Sequence, residues 1–387
     1  MDISYIINEL GEDRENYFNA ISPPIMQTSN FAFKKVDDIR KAFEDEYSTF
    51  LYSRGINPTV DILRKKLAAL DNAEDCLVFN SGAAAIFAAV LANVKAGDHI
   101  ISVKDPYTWA LKMFNDILPR FNISVTYIDG TSMENFENAL LPNTTVIYLE
   151  SPNSWTYALQ DLSAVADLAR SKNIITICDN SYCTPVYQRP IDHGIDLALQ
   201  SATKYIGGHS DTVAGVLSGT SAMIKRIFTS EYMNIGSGIQ PFNAWLLIRG
   251  LRTLPVRLER ITSSTSKVLN FLKQHPRVES VIFPFDDHFP QLALAKKQMK
   301  DACGLLTFIV KTEDIHQIET FCESLKHILI AVSWGGHESL ILPRCSSLPV
   351  SSFDAGNPLH CMIRLYVGLE DPQYLIQDLR QAFDHTW

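Results

Sequence analysis

Between residues 60 and 200, short apolar runs alternate with segments of helical periodicity. The apolar runs are rich in β-branched residues, and they include HIISV, TTVIYLE and ITICD. The segments between them are roughly ten to fifteen residues long and include the amphipathic sequence DLSAVADLARSKN. This alternation predicts βαβ units, and therefore an α/β domain whose mostly parallel sheet has helices on both faces.

The pattern changes in the last third of the chain. A long helical stretch, expected to bend or break near Pro255, leads to three apolar runs that are predicted to be strands: GLLTFIVK, ESLILP and MIRLYVG. Helices are predicted near 313–326 and 371–384, so this part should form a smaller α+β domain. The expected organisation is an N-terminal extended arm at 1–58, an α/β domain at 59–241, and a connector helix with a C-terminal α+β domain at 242–387.

Composition and charge argue against several classes of function. The chain is 46% apolar and 20% charged, and its formal net charge is −9 without a run rich in lysine and arginine. Binding to nucleic acid or to an anionic membrane is therefore not expected. No apolar segment has the length of a membrane span, and no secretory signal is visible. Seven dispersed cysteines without a CxxC pair argue against disulfides and a zinc site, so we expect no metal and a cytoplasmic location.

Several polar residues follow predicted strands at positions where a doubly wound sheet binds its ligands. In VFNSGAAA a strand ends where a helix begins, so the N–H groups of Gly82 and Ala83 could bind an anion. Helix capping by the preceding polar residues is the alternative. Asp179 ends the run ITICD, and Lys204 lies in SATKYIGGHSD just after another short apolar run. A strand-end turn and a surface loop are the alternatives for these two residues.

Two further candidates lie in or after predicted strands. Tyr107 follows HIISV, and its ring could stack on a flat ligand, although simple packing is the alternative. Arg364 lies within MIRLYVG, where an inward guanidinium would suit a carboxylate and an edge-strand surface position is the alternative. Each signal is weak alone. Together they supply an anion cradle, an acid, an aromatic ring, a lysine and a carboxylate clamp, which are the groups that pyridoxal phosphate chemistry needs.

Five sequence blocks resemble the signatures of a known family. The blocks are YSRGINPT, SATKYIGGHSD, AWLLIRGLRTLPVRLER, SWGGHESLILP and RLYVGLED. They are similar to those of the pyridoxal phosphate enzymes of cysteine and methionine metabolism, and the resemblance extends from about Pro23 to Phe383. It implies the fold of aspartate aminotransferase (fold type I), pyridoxal 5'-phosphate as the cofactor, and a small sulfur amino acid as the substrate.

The resemblance also implies roles in cofactor binding. Lys204 resembles the lysine that binds the cofactor covalently, Asp179 the acid on the pyridine nitrogen, and Tyr107 the ring stacked on the cofactor. The phosphate would be held by small residues of the same chain: Gly82, Ala83, Ser201 and Thr203. Tyr52 and Arg54 resemble the pair that completes this phosphate site from a neighbouring subunit. The family therefore implies a homodimer with shared active sites, usually assembled into a homotetramer.

Three more residues resemble the substrate side of the family's site. Arg364 resembles the clamp for the substrate α-carboxylate, and Ser333 the serine that steadies the lysine during proton transfer. Trp334 stands where γ-acting members usually have an aliphatic residue, and this pattern is closest to bacterial cystathionine β-lyase. The expected activity is therefore β-elimination from cystathionine or another cysteine S-conjugate in methionine biosynthesis. The products would be pyruvate, ammonia and a thiol such as homocysteine.

Two departures from the family pattern leave alternatives open. Ser154 and Trp155 stand where many members have an Asn-Pro pair, and Val332 stands where γ-acting enzymes tend to have Glu and the bacterial β-lyase has Tyr. The first alternative is a γ-acting member: cystathionine γ-lyase or γ-synthase, methionine γ-lyase, or O-acetylhomoserine sulfhydrylase. A non-catalytic protein of the same fold is weaker, because Lys204 and Asp179 are both present. A nicotinamide-binding dehydrogenase and a P-loop nucleotidase are also weaker, since neither GxGxxG after a strand nor GxxxxGK occurs.

Overall fold

A computed structural model, which describes residues 1–387, places seven strands in one large sheet. They are β1 (Asp75–Phe79), β2 (His99–Val103), β3 (Ser124–Ile128), β4 (Thr144–Glu150), β5 (Ile175–Asp179), β6 (Leu197–Ser201) and β7 (Gly215–Gly219). Their order in the sheet is β1-β7-β6-β5-β4-β2-β3. All pairs from β6 to β3 are parallel, and β7 is antiparallel to both of its neighbours. The predicted mostly parallel α/β sheet is confirmed.

Helices lie on both faces of this sheet because its strands are apolar on both sides. The helices before residue 236 are α1 (Ile3–Asn8), α2 (Val36–Glu44), α3 (Pro58–Leu70), α4 (Gly82–Leu91), α5 (Thr108–Lys112), α6 (Met133–Ala139), α7 (Leu162–Ser171), α8 (Thr184–Tyr187), α9 (Ser221–Ile227) and α10 (Met233–Ile235). Ile100 and Ile177 share an apolar cluster with residues of α4. Ile101 and Cys178, which follow them in β2 and β5, share another cluster with residues of α7.

A second, smaller sheet lies in the C-terminal part of the chain. Its strands, in the order β10-β11-β12-β9-β8, are β8 (Val278–Ile282), β9 (Leu305–Val310), β10 (Leu329–Ile330), β11 (Leu340–Pro343) and β12 (Met362–Tyr366). The helices are α11 (Pro241–Leu251), α12 (Leu254–Gln274), α13 (Leu292–Gln298), α14 (Ile315–Glu323) and α15 (Pro372–Thr386). The long helical stretch breaks between α11 and α12, and Pro255 lies in the first turn of α12, where a missing N–H is tolerated. The predicted smaller α+β domain is confirmed.

The N-terminal arm is less extended than the sequence pattern predicts. It contains α1 and α2, and α1 is fixed to α3 by a buried cluster of charges. The ammonium of Lys66 lies 3.0 Å from Glu12 and 3.0 Å from the carbonyl of Ile6. Arg252 donates hydrogen bonds of 2.9 and 3.1 Å to the same carboxylate. Helix α1 forms because Ile6 and Ile7 are buried in the main core, although its six residues are too few for a clear periodicity.

Two strands do not appear as apolar runs in the sequence. β7 (GVLSG) begins and ends with glycine, and β8 (VESVI) has exposed polar residues. β7 positions the site because it pairs with β6, so both ends of segment 202–214, which carries Lys204, are anchored in one sheet. The backbone of Ala214 also forms two hydrogen bonds with Thr203. The Ala214 N–H donates to the Thr203 hydroxyl at 3.0 Å, and the Ala214 carbonyl accepts from the Thr203 N–H at 3.3 Å. None of the helices combines the length and the apolar character that a membrane crossing requires.

Candidate active site

A pocket at the carboxyl ends of the large sheet brings most of the predicted cofactor residues together. Asp179 ends β5, Ser201 ends β6, and Gly82 begins α4 shortly after β1. The predicted residues that line the pocket are Gly82, Ala83, Tyr107, Asp179, Ser201, Thr203, Lys204 and Trp334. Parallel strands have their carboxyl ends along the same edge of the sheet, so residues that are far apart in sequence become neighbours there.

The start of α4 forms an anion cradle. Ser81 caps the helix, since its Oγ accepts a hydrogen bond of 3.1 Å from the N–H of Ala84. The N–H groups of Gly82 and Ala83 belong to the first turn, where no carbonyl of the helix can accept them. A Cβ on Gly82 would lie 3.3 Å from the hydroxyl oxygen of Ser201, so glycine keeps the cradle open. Capping and anion binding therefore coexist, and the cradle fits a phosphate group.

Lys204 is half-buried in the pocket and is not a surface lysine. Its Nζ donates a hydrogen bond of 2.6 Å to Ser333 Oγ and lies 4.4 Å from the centre of the Trp334 ring. Burial, reinforced by the charge of Arg364 and opposed by Asp179, lowers the pKa of Lys204 to about 8. An amine with such a pKa is deprotonated far more often at neutral pH than an ordinary lysine, so it is available as a nucleophile or a base.

The segment 333–335 packs directly on the lysine loop. The φ angles of Ser333 and Gly335 are +84° and +89°, in the left-handed region that favours glycine. A Cβ on Gly335 would lie 2.6 Å from the backbone nitrogen of Tyr205 and 2.8 Å from Lys204 Cα, so only glycine fits at this position. The strained backbone at Ser333 costs of order 1–3 kcal/mol. This close approach is what places the Ser333 hydroxyl against the lysine amine.

Two buried carboxylates lie side by side at the ends of β4 and β5. Glu150 and Asp179 are register partners in the sheet. Burial raises the pKa of both, that of Glu150 to about 7 with a further contribution from Asp179. One oxygen of Asp179 accepts the N–H of Ser181 at 2.9 Å. A buried acid of this kind needs a cationic partner to stay ionised, and a protonated pyridine nitrogen fits that requirement.

Glu150 lines the same pocket and was missed in the sequence analysis. Its carboxylate accepts the N–H of Tyr107 at 2.6 Å and the N–H of Ser154 at 2.9 Å. These bonds connect the loop after β2 with the loop after β4, so Glu150 fixes the position of Tyr107. Its position could have indicated a site residue, because Glu150 ends an apolar run just as Asp179 does.

Arg364 lies in β12, between β11 and β9, and is 6% exposed, so the alternative of an edge-strand surface position is wrong. Its Nη1 donates to the carbonyl of Ser154 at 3.4 Å, across the interface between the two domains. The charge forms no ion pair within the chain. A buried guanidinium with free donors is suited to a ligand carboxylate.

Tyr52 and Arg54 lie apart from the pocket of their own chain. They line a separate cavity together with Gln27 and Gly238. The Arg54 guanidinium lies 5.5 Å from the centre of the Tyr52 ring, which is 46% exposed. The single chain therefore does not bring this pair to the phosphate cradle, and its contribution to a neighbouring subunit stays a prediction.

Comparison with known proteins identifies the family. A model of the Cys/Met metabolism PLP-dependent enzyme family matches residues 5–384. The chain belongs to this family. An L-methionine gamma-lyase from Treponema denticola is 39% identical over 378 residues, which cover 96% of this chain and 94% of that protein. A cystathionine gamma-lyase from Bacillus subtilis is 33% identical over 376 residues, which cover 95% of each protein.

A solved structure supports the same fold and cofactor. A Campylobacter jejuni protein assigned as O-acetylhomoserine (thiol)-lyase matches 99% of this chain and 100% of that chain, with a TM-score of 0.93 and 26% identity. Its structure contains a pyridoxyl-lysine phosphate residue. The cofactor of the present family member is pyridoxal 5'-phosphate, and the protein is a PLP-dependent C–S lyase of sulfur amino-acid metabolism. The names of its relatives favour the γ-acting alternative over the expected likeness to cystathionine β-lyase.

Proposed function

We propose that the protein cleaves the C–S bond of a thioether amino acid by γ-elimination, with L-methionine as the preferred substrate. The observation that carries this proposal is the 39% identity to an L-methionine gamma-lyase over nearly the whole chain. The products would be methanethiol, 2-oxobutyrate and ammonia, with one water consumed.

The residues of the pocket can perform the proton transfers of this reaction. Bound pyridoxal phosphate would supply the electron sink that makes substrate C–H groups acidic. Arg364 would bind the α-carboxylate and so fix the substrate Cα beside Lys204. The Lys204 amine would take the Cα proton, pass it to the bound cofactor, and then take a proton from Cβ that would leave with the thiol. Its four-carbon stem is flexible enough to reach both carbons. Ser333, 2.6 Å from the amine, would hold it in place between these transfers.

Trp334 favours β-elimination as a second candidate. Its ring lies 4.4 Å from Lys204 Nζ and 5.1 Å from the Arg364 guanidinium, so it fills space between the base and the carboxylate clamp. Such bulk favours the shorter path, in which the Cα proton alone is removed and sulfur leaves from Cβ. Cystathionine would then give pyruvate, ammonia and homocysteine, and this product would connect the enzyme to methionine biosynthesis.

The proposed active form is a homodimer with shared sites, assembled into a homotetramer. The cradle residues Gly82, Ala83, Ser201 and Thr203 include no basic side chain. The charge of the cofactor phosphate would therefore lack a basic partner within one chain, and Arg54 of a second copy would supply it. A cytoplasmic location is also proposed, since all seven cysteines are free, as in a reducing compartment.

Product analysis distinguishes the two eliminations. The purified enzyme is given L-methionine and cystathionine in separate reactions, and the keto acids are identified by mass spectrometry, with Lys204→Ala protein as the control. We expect mainly 2-oxobutyrate from both substrates. Mainly pyruvate from cystathionine, without turnover of methionine, would establish β-elimination instead. The absence of any keto acid from a panel of thioether amino acids would contradict the assignment of γ-elimination and of β-elimination alike.

A further inference from the structure

Arg364 is held by aromatic rings instead of by an ion pair. Its guanidinium carbon lies 4.7 Å from the centre of the Trp155 ring and 5.1 Å from that of Trp334. The one hydrogen bond of its side chain, to the Ser154 carbonyl, is 3.4 Å long. A ring face attracts a guanidinium without using its N–H donors. The donors of Arg364 therefore stay available, and its charge is not cancelled by a carboxylate of the protein.

Trp155 is tied to the strand beside Arg364. Its N–H donates to Asn153 Oδ1 at 2.9 Å, and its carbonyl accepts from Thr307 Oγ1 at 2.9 Å. Thr307 lies in β9 and is the register partner of Arg364 in β12. The loop after β4 of the large domain is thus anchored directly to the strand next to the clamp. The position of the Trp155 ring against Arg364 is set by backbone contacts on both sides.

The two tryptophans differ in their other contacts. Trp334 also lies 4.4 Å from the Lys204 amine, so its loss would disturb both the base and the clamp. Trp155 has Arg344 as its second cation, at 5.3 Å from the ring, and Arg344 has no ion pair. Trp155 therefore contacts two guanidinium groups, neither of which forms an ion pair. A change of Trp155 would act on the clamp without touching the lysine.

We propose that Trp155 is a positioning residue for the substrate carboxylate. Its ring holds the guanidinium of Arg364 so that the free N–H groups face the α-carboxylate of the amino acid. This inference rests on one part of the proposed function, namely that an amino acid binds with its α-carboxylate on Arg364. It is independent of which C–S bond is cleaved.

The test compares two ligands of the holoenzyme that differ in the carboxylate alone. L-Methionine and its decarboxylated amine, 3-(methylthio)propylamine, are titrated against the cofactor absorbance of the unchanged protein and of Trp155→Ala and Trp155→Phe. We expect Trp155→Ala to weaken methionine binding about 3- to 30-fold and to leave amine binding unchanged, because cation–ring attraction acts through Arg364. Trp155→Phe should restore most of the affinity. In turnover, KM should rise while kcat stays within about twofold.

Trp387→Ala is the matched control. This ring also contacts an arginine, Arg277 at 6.0 Å, but it lies in the C-terminal aromatic cluster away from the pocket, so methionine affinity should not change. An equal loss of affinity for methionine and the amine, a fall in kcat instead of a rise in KM, or loss of the cofactor absorbance would overturn the proposal. Unchanged methionine affinity in Trp155→Ala would overturn it too. The binding readout needs no product, so failure of the proposed elimination would be recognised separately.

Discussion

The proposed cofactor side and the proposed substrate side of the site are constructed differently. On the cofactor side, Gly82 and Asp179 take their positions from a helix start and a strand end of the large sheet. On the substrate side, Ser333, Trp334 and Arg364 come from the second domain and are held by a strained backbone and by ring contacts. The first side follows from topology, whereas the second depends on individual side chains. We expect the cofactor to be common to the family and the substrate to vary within it.

The charges of the two sides also differ, and Lys204 lies between them. The proposed cofactor side has the buried carboxylates of Asp179 and Glu150, and the proposed substrate side has the guanidinium of Arg364. Asp179 stabilises the protonated lysine and Arg364 destabilises it, while burial lowers its pKa further, to about 8. The reactivity of the lysine is therefore set jointly by residues of both domains.

The largest expected effect comes from Lys204→Ala, which removes the base from between the two sides. We expect activity to fall by at least about a thousandfold, because both the covalent attachment and the proton transfers are lost. The cradle and Asp179 would still bind the cofactor non-covalently. Borohydride reduction followed by peptide mapping measures the attachment, and a label on any other lysine would show that Lys204 is not the attachment residue.

Arg364→Ala removes the proposed carboxylate clamp, together with the charge that helps to lower the pKa of Lys204. Loss of one partner of a buried charge pair costs about 3–5 kcal/mol, so kcat/KM should fall by about two to four orders of magnitude, mostly through KM. The cofactor absorbance should be unchanged. Arg364→Lys should restore little activity, since a lysine ammonium cannot bind a carboxylate with two parallel N–H groups. If kcat/KM were the same as in the unchanged enzyme, the clamp would have to be assigned to another residue.

Subunit mixing tests whether the cofactor side is complete within one chain. Arg54→Ala and Lys204→Ala proteins are each expected to be poorly active, and in their hybrid dimer one of the two sites would combine Lys204 of one copy with Arg54 of the other. Random exchange should therefore restore about a quarter of the original activity. The measurement requires proof that subunits exchange, for example by mass spectrometry of differently tagged copies. Exchange without recovered activity would place Arg54 outside the shared site.

The sequence pattern predicts those features of the site that the strand order and strand ends of the large sheet determine. Asp179 and Lys204 each come at or just after the end of an apolar run. Asp161, the first residue of DLSAVADLARSKN, caps α7, where its carboxylate accepts the N–H of Ala164. The antiparallel β7 was not predictable, because its terminal glycines and short apolar stretch resemble a turn. Helix α1 was missed for a similar reason, since tertiary burial of two isoleucines forms it.

Contacts between the domains cannot be predicted from the hydrophobic periodicity of the sequence. Ser333 and Lys204 are 129 positions apart, and only resemblance to a family suggested that they meet. Trp155 was noted as a departure from the family pattern, but nothing in its own segment indicates that its ring contacts Arg364. Such contacts depend on which loops approach each other after both domains have folded. For Glu150, in contrast, the sequence showed the position at the end of a strand but not the hydrogen-bond partners of its carboxylate.

The close packing at Gly335 has a consequence for the tolerance of the protein to mutation. Any side chain at this position would push the lysine loop away, so almost every substitution should abolish activity whatever the substrate. Val332, three positions earlier, is 73% exposed and can be replaced at little cost to stability. One short segment thus contains an immutable residue and a freely variable one. In a library randomised over this segment, active clones should carry many different residues at position 332 and only glycine at position 335.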